Sequence, residues 1–141
     1  MLRVVLDTSV VVASLRSRTG ASNEVLRLVA RQQLIPLVTV ALFLEYEEVL
    51  SRPEQRLAHG LDPGGIRRFL SAFASSCQPV EPRFRWRPQL KDPSDEMVLE
   101  AAINEQADAL VTHNLRHLAP AARRFGLRTL TPGRLLEEVE G

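Results

Sequence analysis

Leu2-Arg3-Val4-Val5-Leu6-Asp7-Thr8-Ser9 is the stretch that decides the fold of this chain. Val4, Val5 and Leu6 read as a buried strand. The apolar run stops at Asp7, and two small hydroxyl residues and a second apolar run, Val10-Val11-Val12-Ala13, follow at once. In an open α/β sheet, ligands bind just beyond the carboxyl ends of the strands. A carboxylate at that place is a candidate metal ligand or phosphoacceptor, provided that later acids can gather round it.

Working outward, the pattern repeats. Residues 9–16 begin a helix, and Ser22-Asn23 opens a second that runs to about Gln33. Leu34 to Thr39 reads as a strand, Ala41 to Leu50 as a helix stopped near Pro53, and Glu54 to His59 as a shorter helix. Asp62-Pro63 is an N-cap and first-turn pair, opening the helix over Ile66 to Ser75. Pro79 to Pro88 reads as an extended, irregular crossing. Residues 94–107 form another helix, Ala109 to Thr112 a buried strand and Leu127 to Leu130 a last short one. Thr131-Pro132 then starts the C-terminal helix. Strands alternating with helices imply an α/β fold with a parallel sheet covered on both faces and right-handed crossovers.

The 141 residues suit a single domain, 1–141, and 45% hydrophobic residues suffice for a core. A net charge of +1 carries no argument for a polyanionic partner. Lys91 is the sole lysine among 18 basic residues. The arginine bias fits GC-rich coding, and it also supplies planar, phosphate-matching side chains. One cysteine, Cys77, allows neither an internal disulfide nor a cysteine-built zinc site. The N-terminal segment reaches an acid at position 7, too early for a signal-peptide apolar region. No apolar run nears the roughly 18 residues that cross a bilayer. The expectation is a cytoplasmic protein with no membrane partner.

Four places offer polar groups to one site. Asp7 is the first; its bland reading is a cap for the following helix. Glu45 is the second. It shares a helix face with Leu42, Tyr46 and Val49, and an acid in an apolar stripe must be paired, protonated or bound to a metal. Its bland reading is a stripe margin facing water. The third is Asp92-Pro93-Ser94-Asp95, where Asp92 caps a helix and Asp95, on the face of Val98, Leu99 and Ala102, points inward. The fourth is Thr112-His113-Asn114, leaving a buried strand, with Asn114 either in the crevice or capping the next helix. Carboxylate oxygens without imidazole or thiolate neighbours suit hard cations, Mg²⁺ or Mn²⁺. His113 and His117 lack a catalytic spacing and read as surface-turn residues.

These stretches, together with Glu47-Glu48-Val49-Leu50, Ala107-Asp108-Ala109-Leu110-Val111 and Leu130-Thr131-Pro132, resemble the PIN-domain family. The resemblance covers essentially the whole chain and is closest to the single-domain, VapC-like toxins of toxin–antitoxin pairs. It implies a Rossmann-like, three-layer α/β/α domain with a parallel sheet of four or five strands, and a Mg²⁺- or Mn²⁺-dependent endoribonuclease. Asp7, Glu45 and Asp95 match the family's three acidic positions. Its fourth position is often Asp, and here it is Asn114, which removes one negative charge and bears on whether one or two metal ions bind. Thr8, Ser9, Thr112 and Asp92 then become groups that orient the carboxylates. Arg116, close to Asn114, and Arg85, in the alternating strip Arg83-Phe84-Arg85-Trp86-Arg87, become candidates for RNA contact through phosphate and stacking. The same strip also fits a half-buried edge segment. The resemblance further implies a homodimer and a small antitoxin, for which the helices at 22–33 and 41–50 would supply an apolar groove.

Rival readings are poorer. A receiver domain needs a phosphoacceptor Asp after a middle strand and a Lys after a late one, and Lys91 precedes the wrong helix. A haloacid-type phosphatase needs a second Asp two residues after the first, where Ser9 stands. An inactive PIN domain serving as an RNA- or protein-binding module has Asn114 as its only support.

Overall fold

The computed structural model describes residues 1–81 and 90–140. Five strands, β1 (Leu2–Leu6), β2 (Leu34–Val38), β3 (Gln78–Pro79), β4 (Ala109–Val111) and β5 (Thr129–Leu130), form one sheet in the order β3-β2-β1-β4-β5. Every pairing is parallel. Eight helices connect them among the described residues: α1 (Thr8–Arg16), α2 (Ala21–Ala30), α3 (Val40–Leu50), α4 (Pro53–His59), α5 (Pro63–Ser76), α6 (Pro93–Asn104), α7 (Leu115–Arg124) and α8 (Pro132–Glu140).

The strand order explains why β1 and β4 are apolar at every residue from Val4 to Leu6 and from Ala109 to Val111. They are inner strands, as β2 is, and none of these six side chains is more than 1% exposed. A parallel sheet survives only when both faces are covered. Going β1 to β2 to β3, the chain moves one way across the sheet; going from β3 to β4 to β5 it moves the other way. Right-handed crossovers therefore send α6 and α7 to the face opposite α2 and α5, while α3 still reaches α6. Pro36 sits in β2 at a place that β3, paired only with Leu37 and Val38, does not reach. An N–H is not needed there.

The caps follow the sequence closely. Asp62 Oδ1 accepts the Gly65 amide at 2.6 Å, with Pro63 at the first helical position. Thr39 Oγ1 accepts the Leu42 amide at 3.0 Å and opens α3. Two differences from the sequence reading are boundary effects. α2 stops at Ala30, and the turn after it needs the left-handed backbone of Gln32 (φ 61°). α6 stops at Asn104, before the left-handed Gln106 (φ 51°). The two-residue strand β3 lies at the start of the segment read as irregular. Arg83, Phe84, Arg85, Trp86 and Arg87 lie outside the described residues.

Candidate active site

The reversal in strand order falls between β1 and β4. At such a switch point the connections leave in opposite directions and open a crevice at the carboxyl ends of the strands. Asp7 follows β1 and Thr112 follows β4. The register Leu6–Val111 sets them side by side, and the Asp7 amide donates to the Val111 carbonyl at 2.8 Å.

Asp7 is the formal N-cap of α1, yet its side chain makes no capping hydrogen bond. Instead Oδ2 accepts two hydroxyl protons, from Ser9 Oγ at 2.7 Å and Thr112 Oγ1 at 2.6 Å. Both donors fall on one oxygen, which leaves Oδ1 as the atom available to a ligand. Thr112 Oγ1 also accepts the Asn114 amide at 2.8 Å, so one fully buried hydroxyl holds Asp7 and the turn that carries Asn114. The Ser9 hydroxyl likewise accepts the His113 amide at 3.3 Å. Thr8 Oγ1 is buried without a hydrogen-bond partner among the described residues.

Asp95 comes from the first turn of α6. Asp92 caps that helix by accepting the Ser94 amide on Oδ1 at 2.9 Å. Asp95 is 9% exposed, and its carboxylate has no hydrogen bond or ion pair among the described residues. Burial raises its pKa to about 6; Asp7 and Asp92 add to the shift by like-charge repulsion, and His117 opposes it. Asp7 is therefore within electrostatic reach of Asp95.

Glu45 is half-buried on α3, beside the buried Leu42, Tyr46 and Val49. Its Oε1 accepts the Ser94 hydroxyl at 2.6 Å, so the third acid is tied to the residue next to Asp95. Tyr46, one position on, is fully buried and its hydroxyl donates to the Leu6 carbonyl, the last of β1. Spacing places Tyr46 only on the apolar face of α3, although an Oη there must find a partner. Among the described residues no three His, Cys, Asp or Glu side chains stand close enough to hold a metal as a preformed triad. Asp7 is near enough to Asp95 to repel it, and Glu45 reaches the same turn of α6 through Ser94.

A cavity of about 480 Å³ opens on this region, lined by Leu90, Lys91, Asp92, Asp95, Asn114 and His117. Asn114 is the N-cap of α7 with no side-chain capping bond, which frees its amide for the cavity. His117 corrects the sequence reading: it lies on α7 and faces the cavity, not a surface turn. His113, in the turn, bonds Ser22 Oγ through Nε2 at 2.8 Å. Arg116 is exposed and is not among the cavity residues. The apolar groove expected between residues 22–33 and 41–50 lies elsewhere. It has about 190 Å³ between α2 and α5, lined by Leu26, Val29, Phe69 and Phe73 among others, because α3 packs against α1 and α6.

Residues 3–116 match the family model for the PIN domain. This chain belongs to the PIN-domain family. No curated relative matches it. PIN domains are generally nucleases and typically use divalent metals, and the match spans β1 through the start of α7, the region that supplies Asp7, Glu45, Asp95 and Asn114.

The chemistry of the donors fits such an ion. Two buried carboxylates repel one another, one of them without a hydrogen bond, and neither has an ion pair among the described residues. Leaving a buried charge unpaired is costly, and a divalent cation removes that cost. All-oxygen donors suit Mg²⁺ or Mn²⁺.

Proposed function

We propose that this PIN domain is a Mg²⁺- or Mn²⁺-dependent endoribonuclease. What supports the proposal is that burial and Asp7, itself buried at a topological switch point, together raise the pKa of Asp95, whose carboxyl is unpartnered among the described residues. Asp7 Oδ1 and the Asp95 carboxylate would hold the ion, with Glu45 acting from the margin. When bound, such an ion activates water and stabilises charge on a phosphodiester. The protein's own part is orientation. Ser9 and Thr112 fix the Asp7 carboxylate through Oδ2, Asp92 holds the first turn of α6, and Ser94 ties Glu45 to that turn. With Asn114 neutral at the fourth position, the reading is of one metal ion per site.

The finer reading is that of a toxin of a toxin–antitoxin pair, working as a cytoplasmic homodimer and masked by a small antitoxin. The apolar groove between α2 and α5 suits an apolar segment of such a partner. Val40 and Leu44 on α3 and Leu57 on α4, 55–88% exposed, offer apolar surface to a second copy.

The test is cleavage of structured and unstructured RNAs with Mg²⁺ or Mn²⁺, against EDTA, Asp7→Asn and Asp95→Asn. The expected result is cleavage abolished in all three controls while the far-UV spectrum is unchanged. Cleavage that persists in EDTA or in Asp7→Asn would overturn the proposed site.

A further inference from the structure

The turn that leaves β4 is tied down at three consecutive residues. Thr112 Oγ1 donates to Asp7 Oδ2 at 2.6 Å and accepts the Asn114 amide at 2.8 Å. The His113 amide donates to Ser9 Oγ at 3.3 Å, and Ser9 Oγ donates to the same Asp7 oxygen at 2.7 Å. A hydroxyl has one proton and two lone pairs. In Ser9 and in Thr112 a turn amide takes a lone pair on one side, and the proton is left for Asp7. The direction of both hydroxyls therefore depends on where the turn holds its amides.

The His113 ring ties that turn to a different element. Its Nε2 shares a hydrogen bond of 2.8 Å with Ser22 Oγ, 91 residues away in the chain. Ser22 is 3% exposed and stands in the first turn of α2. Its neighbour Asn23 donates through Nδ2 to the Ser14 carbonyl of α1 at 2.8 Å, which fixes the start of α2 from the other side. Ser22 is thus a rigid post. His113 is an exposed residue, so burial does not hold its ring, and the bond to Ser22 does.

We propose that His113 is a positioning residue for the Asp7 carboxylate. Anchored on Ser22, its ring holds the turn whose amides set the Ser9 and Thr112 hydroxyls, and so keeps Asp7 Oδ1 aimed at the ion. Partners that orient a ligating carboxylate govern how well it binds metal. Here the chain of contacts runs one link further, from Asp7 through Ser9 and the turn to α2. The inference rests on the reading of Asp7 as a ligand of a divalent ion.

The test is Mn²⁺ affinity by isothermal titration calorimetry, alongside thermal unfolding in EDTA. Direct orienting partners are worth about 10–100-fold in metal affinity, so His113→Ala, one link further out, should weaken Mn²⁺ binding about fivefold. Ser22→Ala should do the same. The double variant should bind no worse than either single one, because both substitutions remove one bond. His113→Gln, whose amide can reach the place of Nε2, should recover most of the affinity. A ring that serves only the fold would lower the unfolding temperature in EDTA and leave Mn²⁺ affinity untouched. That result, or losses that add in the double variant, would overturn the proposal. Mn²⁺ binding that Asp7→Asn abolishes, with His113→Ala at wild-type affinity, would leave the ion site standing and refute the role of His113. No Mn²⁺ binding by the unaltered protein, or equal binding by Asp7→Asn, would overturn both.

Discussion

Asp95 shows how one buried carboxyl can be costly to the fold and useful to a site. Its pKa stands near 6 against an ordinary value of 3.8, chiefly through burial and then through Asp7. The folded chain thus holds the proton more tightly than the unfolded one. The stabilising contribution is present below about pH 4 and is lost as pH rises through about 6. Asp95→Asn should therefore stabilise the metal-free protein by about 1–2 kcal/mol near pH 7.5, allowing for the partial solvation of the group, and hardly at all near pH 4. Urea unfolding in EDTA at both pH values measures this, and equal effects at both would show that Asp95 carries no such strain. Asp7 was legible as a candidate site residue because an acid ending a buried strand has few bland uses. Its two hydroxyl donors were legible only as a set. That Ser9 and Thr112 share one oxygen, leaving the other available, depends on side-chain directions that spacing does not carry.

At the level of elements, α3 does more than supply Glu45. Its Tyr46 spans to the Leu6 carbonyl and so fixes the end of β1, directly before Asp7. Tyr46→Phe leaves that buried carbonyl short of a partner and should cost about 1–2 kcal/mol. It should also lower the cleavage rate while RNA affinity in EDTA stays unchanged; a rate untouched by the substitution would mean that β1 needs no such strut. The N-terminal turns of α6 and α7 illustrate what periodicity misses. Asp92-Pro93-Ser94-Asp95 announces a helix start by residue type alone, and the structure keeps that cap. His117 does not announce itself. It becomes a cavity residue because α7 begins at Leu115, which puts position 117 on the same turn and towards the same side as the Asn114 cap. Counting three residues from Asn114 would have found it.

For the molecule as a whole, the proposed ion should act as a stabiliser. It would bind the folded crevice and not the unfolded chain, so melting temperature should rise with Mg²⁺ or Mn²⁺. At a hundredfold excess over the dissociation constant the gain is about 2.7 kcal/mol. Asp7→Asn should lose most of this gain, and an equal rise in that variant under differential scanning fluorimetry would place the binding elsewhere. The α/β class was already settled by local patterning. Apolar runs such as Val4–Leu6 and Ala109–Val111 can persist only in strands covered on both faces, and Asp7, Glu45 and Asp95 stand out because each interrupts or borders an apolar pattern. Strand order is a different matter. It depends on which way each crossover turns and on which edges remain to be paired, and these are relations between segments up to a hundred residues apart. That order, β3-β2-β1-β4-β5, is what sets Asp7 beside Thr112, at the end of the sheet where the first turn of α6 brings Asp95 within its electrostatic reach and Ser94 bonds Glu45.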